Sequence, residues 1–237
     1  LLAFKNFINN LPFYGYSIIC TDNVNLRKLF QTIKTRKIIT YSRNQDSDIK
    51  INSILRNQQN TDFSLYIKKG IFKKVHGPYN FRTTLLGDHN ILNAAGAIAA
   101  SLIAGVTMNQ ISKSLNKFEG VKRRFSFLGK IKKASIYDDY AHHPTEIKAS
   151  YQIAKQISRE KIIVIFQPHR YSRTKILQND FIKVLKTIDI LFLLDIYPAG
   201  EKPIRNVNSK ILVSKLKKMN TNTFYLKNQK KIRSYLQ

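Results

Sequence analysis

The spacing of apolar residues changes several times in the first half of the chain. Apolar runs at residues 16–21 and 37–41 predict strands, and four apolar residues on one face predict a helix between them at 25–33. Polar and apolar residues alternate between 49 and 86, which predicts a patch of short antiparallel strands. The first half therefore predicts a mixed sheet with helices.

Two helices and a break follow this patch. An alanine-rich segment at 90–104 predicts a helix that Gly105 ends, and Thr107 is placed to cap the next helix. The helical pattern then stops at a Glu-Gly pair. We place a domain boundary here, so that residues 1–120 form one domain and 121–237 another.

Strands and helices alternate in the second half. Strands are predicted at 134–138, 161–166, 188–195 and 222–226, with helices at 144–158, 177–186 and 209–218 between them. Several of these strands are apolar on both faces, as in parallel sheets covered by helices. The pattern predicts a Rossmann-like, doubly wound α/β domain.

Composition narrows the class of protein. The chain has 237 residues, 43% of them apolar, which is enough for a hydrophobic core. No apolar run reaches the roughly 18 residues of a membrane span, so we expect no membrane partner. Cys20 is the single cysteine, which excludes an internal disulfide and fits the reducing cytoplasm. The chain starts at Leu1 without a signal peptide, and we expect it to be part of a longer protein.

The net charge of +27 suggests a nucleic-acid-binding module, because Lys and Arg neutralise phosphates. The lysines are scattered rather than clustered, however, and no zinc-finger or RNA-recognition signature is present. We therefore favour a lysine-rich composition without a nucleic-acid partner. Salt-dependent DNA binding would support the alternative.

Ligands of parallel α/β sheets bind where strands end and loops begin. That rule selects the loops at 138–144, 167–174 and 195–203, which hold three of the five histidines, two arginines and several acids. His142 and His143 are adjacent and do not suit one metal ion, so a general base or a binding role is favoured. Arg170 and Arg173 suit a carboxylate or a phosphate, although an ordinary basic loop has the same composition.

Near the boundary, side chains at two places suit a nucleotide. His89, Asn90 and Asn93 open the alanine-rich helix; they suit a planar ligand such as adenine, although an asparagine here also suits a helix cap. Arg124 lies at the domain boundary, where it either reaches a phosphate or ribose or belongs to a solvated basic turn.

Taken together, five segments resemble the Mur ligases, and most closely the member that adds L-alanine. They read GDHNILNA, EGVKRRF, DDYAHHPTE, FQPHRYSRT and DIYPAGE. The early segment LPFYG also resembles the family's central domain. The resemblance runs from about Asn6 to Lys217.

The resemblance implies a reaction and its substrates. Such enzymes use ATP and Mg²⁺ to phosphorylate the carboxylate of UDP-N-acetylmuramate, and the L-alanine amine then attacks the acyl phosphate. The chain would hold the carboxyl-terminal part of the ATP-binding central domain and the amino-acid-binding domain. His89, Asn90 and Asn93 would contact adenine. Arg124 and Asp139 would hold ribose or phosphate.

The remaining roles come from the same resemblance. Tyr140, His142 and His143 would line the amino-acid and acyl-phosphate site, and Arg170 and Arg173 would grip the L-alanine carboxylate. His143 is our first choice as general base. Position 141 departs from the family, which has Gly where this chain has Ala141.

No Gly-x-x-x-x-Gly-Lys-Ser/Thr loop is present in the sequence. The resemblance places that loop and the Mg²⁺ ligands upstream of this chain, so we predict no metal ligand here and no ligase activity from the chain alone. Two further alternatives are the related ligase that recycles a cell-wall tripeptide and a non-catalytic scaffold.

Overall fold

The computed structural model describes residues 1–33, 37–57, 59–219 and 221–227. The chain divides into two compact units, Leu1–Gly120 and Val121–Gln237. The elements of the first unit are α1 (Leu2–Asn9), β1 (Tyr16–Cys20), α2 (Val24–Phe30), β2 (Lys37–Ser42), β3 (Ile49–Arg56), β4 (Thr61–Ile67), β5 (Gly77–Thr83), α3 (Asp88–Ile103) and α4 (Met108–Lys117).

The first unit is built on a mixed five-stranded sheet in the order β1-β2-β3-β4-β5. β1, β2 and β3 are parallel, whereas β4 and β5 are antiparallel to their neighbours, which confirms the predicted mixed sheet. Ile49, Leu65 and Ile67 from the strands and Ile91 and Ile98 from α3 are fully buried in one core. The period of apolar residues in α3 thus directs one face of the helix onto the sheet.

The helix predicted to follow Thr107 is confirmed. Thr107 caps α4, and its hydroxyl and Gln110 form a reciprocal capping box. The end of the unit depends on Gly120, whose φ is +95°. The positive φ favours glycine there, and a Cβ at Gly120 would lie 2.9 Å from a methyl group of Leu85, so a larger residue would also have to displace the Leu85 side chain.

The second unit contains a parallel sheet of three strands in the order β10-β9-β8. Phe181, Leu185, Leu212 and Leu216 from two helices are fully buried against it. Its elements are β6 (Ser126–Ile131), β7 (Ala134–Asp138), α5 (Pro144–Ile157), β8 (Ile163–Phe166), α6 (Tyr171–Ile176), α7 (Gln178–Leu185), β9 (Ile190–Leu194), α8 (Ser209–Lys217) and β10 (Thr223–Leu226).

One predicted strand does not join the parallel sheet. Residues 134–138 do form a strand, but β7 pairs antiparallel with β6 in a separate hairpin. Only Lys132 and Lys133 separate the two strands, and a two-residue link allows an antiparallel pair, whereas a parallel pair requires a crossover of a dozen or more residues. The prediction of four alternating strands in one sheet was wrong for this strand.

The predicted loop at 167–174 also differs from the structure. Its second part begins the short helix α6, so Arg173 is helical and Arg170 is the residue before the helix. Within the described residues, no helix combines the length and hydrophobicity that crossing a bilayer requires. The sequence also suggests the start of one more helix at 228–237, but these residues lie outside the described ranges.

Candidate functional site

The predicted nucleotide-binding side chains lie on the first turns of α3. The Asn90 amide donates to the Leu86 carbonyl oxygen at 2.9 Å, and the Asn93 amide reaches Asn90 Oδ1 at 3.4 Å. Gly87, not Asn90, is the cap residue, so Asn90 does not cap the helix. His89 and Asn93 are exposed. Their amide and imidazole groups can therefore hydrogen bond to the edge of a planar base.

Two arginines beside this segment were not predicted. Arg43 and Arg56 both form ion pairs with Asp88, the first residue of α3. Burial opposes ionisation of Asp88, but the bonds and charges of Arg56 and Arg43 outweigh it and hold the pKa of that carboxyl below its usual value. The arginines come from different strand ends, so no local sequence pattern connects them to α3.

In the second unit, the turn after β7 is held by two carboxylates. Asp139 accepts a hydrogen bond from the Ala141 amide at 3.1 Å and another from the Ser150 hydroxyl. Glu146 accepts from the amides of His142 and His143 at 2.9 and 3.1 Å. Both contacts are local, and together they fix the backbone that carries the two adjacent histidines.

Glu146 is also the charged partner of this turn. Burial raises its pKa, but the His142 amide and charge, the His143 amide and Arg124 together hold the pKa below its ordinary value. Arg124 Nη1 lies 3.9 Å from Glu146 Oε1, and 57% of its side chain is exposed. The Arg124 guanidinium therefore keeps donors available for a ligand.

The two histidines have different hydrogen bonds. His142 Nδ1 lies 2.9 Å from the Tyr140 carbonyl oxygen, which only accepts, so Nδ1 carries the proton. His143 Nδ1 lies 3.3 Å from the Thr145 amide, which only donates, so Nδ1 accepts and caps α5. The lone pair of neutral His142 is therefore on Nε2, whereas that of His143 is used by the helix.

The turn between β8 and α6 is fastened to the loop after β9. The Arg170 amide donates to the Tyr197 carbonyl oxygen, and the Tyr197 amide donates to the Pro168 carbonyl oxygen, both at 2.8 Å. Arg170 has a φ of +73°, a value that non-glycine residues seldom adopt. A conformation of this kind persists only where surrounding contacts impose it.

His169 belongs to this site but was not among the predicted site residues. Its ring centroid lies 6.0 Å from that of His142 and 5.3 Å from that of Tyr197. Arg173 Nη1 lies 3.5 Å from His169 Nδ1 and 3.4 Å from its carbonyl oxygen. Its membership of the histidine-rich loop was the available sequence signal. His169 connects the predicted histidine turn with the predicted arginine pair.

The pKa of His169 lies below its usual 6.5, because of burial first and then of the charges of Arg173, His142 and Arg170; Glu201 opposes them. The unfolded chain therefore binds a proton more readily than the folded chain as the pH falls below 6.5. We expect the free energy of unfolding to fall between pH 7 and 5, by under about 1.4 kcal/mol per pH unit for one proton.

An NMR titration of the histidine ring protons measures this pKa directly. His169→Gln should remove its share of the pH dependence of unfolding, and His76→Gln, at an exposed histidine of the first unit, is the control. A His169 midpoint at or above 6.5 would contradict the expectation.

These contacts place seven of the predicted site residues around two neighbouring turns of the second unit. They are Tyr140, His142, His143, Arg170, Arg173 and Arg124, and the seventh is Asp139, which holds the first turn. His142 and Arg173 both approach His169, so a proton acceptor and a cation meet on one surface. Such a surface can bind an amino-acid carboxylate and accept a proton from its ammonium group. In the described ranges, no group of three or more His, Cys, Asp or Glu side chains is placed to hold a metal ion.

Two family models match most of the chain. The Mur ligase middle domain matches residues 1–101, and the Mur ligase, glutamate ligase domain, matches residues 123–237. The UDP-N-acetylmuramate–L-alanine ligase of Wigglesworthia glossinidia brevipalpis is 42% identical over 222 residues, which cover 89% of this chain and 45% of that protein. The chain thus spans about half the length of the curated relatives it matches.

Solved structures of similar fold cover nearly the whole chain. A UDP-N-acetylmuramate-alanine ligase from Thermotoga maritima has a TM-score of 0.69 at 22% identity, covering 97% of this chain and 54% of that one. A murein peptide ligase from Psychrobacter arcticus 273-4 has a TM-score of 0.72 at 21% identity, covering 99% and 48%. At these identities the structures establish the fold.

Proposed function

The chain belongs to the Mur ligase family, and from this premise we propose that it is part of a ligase that joins L-alanine to UDP-N-acetylmuramate in peptidoglycan precursor synthesis. One observation carries the proposal. The turns that follow β7 and β8 bring a proton acceptor, His142, near Arg173, because both residues approach His169. An amino-acid substrate needs a cation for its carboxylate and a base for its ammonium group.

The proposed reaction uses ATP and proceeds through an acyl phosphate. The amine nitrogen of alanine attacks the activated carbonyl carbon, a C–N bond forms, and the C–O bond to phosphate breaks. Arg170 and Arg173 hold the alanine carboxylate, and Tyr140 lines the site. We assign the proton acceptor to His142 Nε2, because the Nδ1–H of His142 is fixed by the Tyr140 carbonyl oxygen and lies 3.6 Å from Glu146.

The nucleotide contacts are part of the same proposal. His89, Asn90 and Asn93 present amide and imidazole groups to adenine, and Arg124 presents its exposed guanidinium to ribose or phosphate. Asp139 is a weaker candidate, because both of its carboxylate oxygens already accept hydrogen bonds within the turn. We propose no Mg²⁺ ligand among the described residues.

The tripeptide-recycling ligase remains the second candidate, because a murein peptide ligase has an equally similar fold. The curated relatives at about 42% identity are alanine ligases, which favours L-alanine. The nucleic-acid module gains no support from the relatives.

The test is a hybrid enzyme, in which this chain replaces the matched region of the Wigglesworthia relative. We expect phosphate release that requires ATP, UDP-N-acetylmuramate and L-alanine, and none from the 237-residue chain alone, whose sequence lacks the phosphate-binding loop. Arg173→Ala should raise the KM for L-alanine roughly 10- to 150-fold, since hydrogen bonds to a charged group contribute about 1.5–3 kcal/mol.

Arg173→Lys keeps the charge but loses the planar guanidinium group. Its KM for L-alanine should therefore lie between those of the unmodified hybrid and of Arg173→Ala. Turnover with the tripeptide but not with L-alanine would favour the second candidate. A hybrid that folds but uses neither substrate would contradict the proposed function.

A further inference from the structure

Glu201 connects two loops of the second unit. Its Oε2 accepts a hydrogen bond from the Ser172 amide at 2.9 Å, and its Oε1 accepts one from the Ser172 hydroxyl at 2.6 Å. Arg170 Nη1 lies 4.0 Å from the same Oε1. One carboxylate from the loop after β9 therefore contacts two residues of the turn that carries the arginine pair.

The contacts are those of an ionised carboxylate. The Ser172 hydroxyl and amide, followed by the charge of Arg170, hold the pKa of Glu201 below its usual value, so the side chain is charged at neutral pH. An ionised carboxylate only accepts hydrogen bonds, which matches the two donors of Ser172. The Glu201 side chain is 25% exposed and that of Arg170 is 51% exposed, so Glu201 is the more buried partner of this ion pair.

The turn needs such a contact because its backbone is strained. The φ of Arg170 is unfavourable for a residue with a Cβ, and the surrounding structure must offset that strain. Two backbone bonds with Tyr197 hold the start of the turn, and Glu201 holds Ser172, two residues further on. Arg170 is thus fixed from both sides, and Arg173 follows one turn of helix later.

We propose that Glu201 is a positioning residue that holds the β8–α6 turn, so that Arg170 and Arg173 present their guanidinium groups together to an amino-acid carboxylate. Glu201 acts through Ser172 and Arg170 and does not touch the substrate. The inference rests on the proposed function, because that function supplies the carboxylate.

The test uses Glu201→Ala and Glu201→Gln, with Glu160→Ala as the matched control. Glu160 is an exposed glutamate of the same unit, and its side chain makes no contact with the site. In the 237-residue chain, amide hydrogen exchange is measured by NMR at Arg170 and Tyr197. In the hybrid enzyme, kcat and the KM values for L-alanine and ATP are measured.

For Glu201→Ala we expect exchange at both amides to become roughly tenfold faster or more, which is the factor for losing hydrogen bonds to a charged group. The KM for L-alanine should rise by a similar factor while the KM for ATP stays unchanged. Glu201→Gln should show smaller changes in both the exchange rates and the KM for L-alanine, because its amide oxygen still accepts a hydrogen bond from Ser172.

Two results would overturn the proposal. One is unchanged exchange in Glu201→Ala; the other is faster exchange with a KM for L-alanine that stays the same or falls, as expected if Glu201 only competes with the substrate for Arg170. If the unmodified hybrid does not use L-alanine, the proposed function fails separately, and the exchange rates still decide whether Glu201 holds the turn.

Discussion

His142→Asn in the hybrid enzyme should lower kcat about 10²- to 10⁴-fold, the usual contribution of a positioned general base, while the KM for L-alanine changes little. The asparagine amide can still donate to the Tyr140 carbonyl oxygen, as His142 Nδ1 does now, so the turn keeps its hydrogen bond. What disappears is Nε2, the atom to which we assign the proton from the alanine ammonium group.

His143→Asn is the matched control. The Asn oxygen can accept from the Thr145 amide, and asparagine is a favoured cap residue, so α5 keeps its first hydrogen bond. We expect the kcat of His143→Asn to stay within about a few-fold of that of the unmodified hybrid, because the Nδ1 lone pair of His143 caps the helix and does not accept the substrate proton. Steady-state kinetics at saturating ATP measures both variants. A large loss in His143→Asn with little loss in His142→Asn would reverse the assignment and return it to the first choice made from sequence.

The choice between these histidines shows where sequence reasoning stopped. Pro144 predicts a helix start directly after the two histidines, and α5 does begin at Pro144. Nothing in the sequence tells which ring nitrogen faces a carbonyl oxygen and which faces an amide. That difference depends on the backbone turn at 140–143, and the turn depends on hydrogen bonds to Glu146.

The same reasoning explains which contacts were missed. Patterns of apolar residues predict elements because they report burial within a few residues, and they located both helices after the first sheet. The contacts of His169 and Glu201 join loops that are distant in the sequence. Glu201 bonds to Ser172, 29 positions away, and His169 pairs with Tyr197 of the loop that follows another strand. Such contacts depend on strand order, which the spacing of apolar residues does not determine.

The loops that follow β8 and β9 depend on the sheet that holds these two strands in register. Phe181 packs beneath this sheet. Its side chain is fully buried, and its ring centroid lies 5.7 Å from that of Phe166, the last residue of β8. Phe166 directly precedes the turn that carries Arg170. A change at Phe181 should therefore reach the arginine pair through one intervening ring.

Phe181→Ala should destabilise the second unit by about 3–5 kcal/mol, because a buried phenylalanine leaves a cavity that the core only partly fills. The free energy of unfolding of a domain is about 5–15 kcal/mol, so this loss would remove a large part of the unit's stability. Hydrogen exchange measured by mass spectrometry follows each unit separately, and peptides covering β8 and β9 should lose protection while those covering β3 and β4 keep it.

The control is Phe127→Ala, in the β6–β7 hairpin of the same unit, where the phenylalanine is 55% exposed. We expect a loss of about 0.5–1.5 kcal/mol there, from the ring contact with Tyr137 at a centroid distance of 5.5 Å, which is well below the loss for Phe181→Ala. Equal losses in both variants would mean that burial at Phe181 is not what supports the sheet. If Phe181→Ala loosened β8 and β9 but left the KM for L-alanine unchanged in the hybrid, the arginine pair would have to be held by the Glu201 and Tyr197 contacts alone, without the core beneath it.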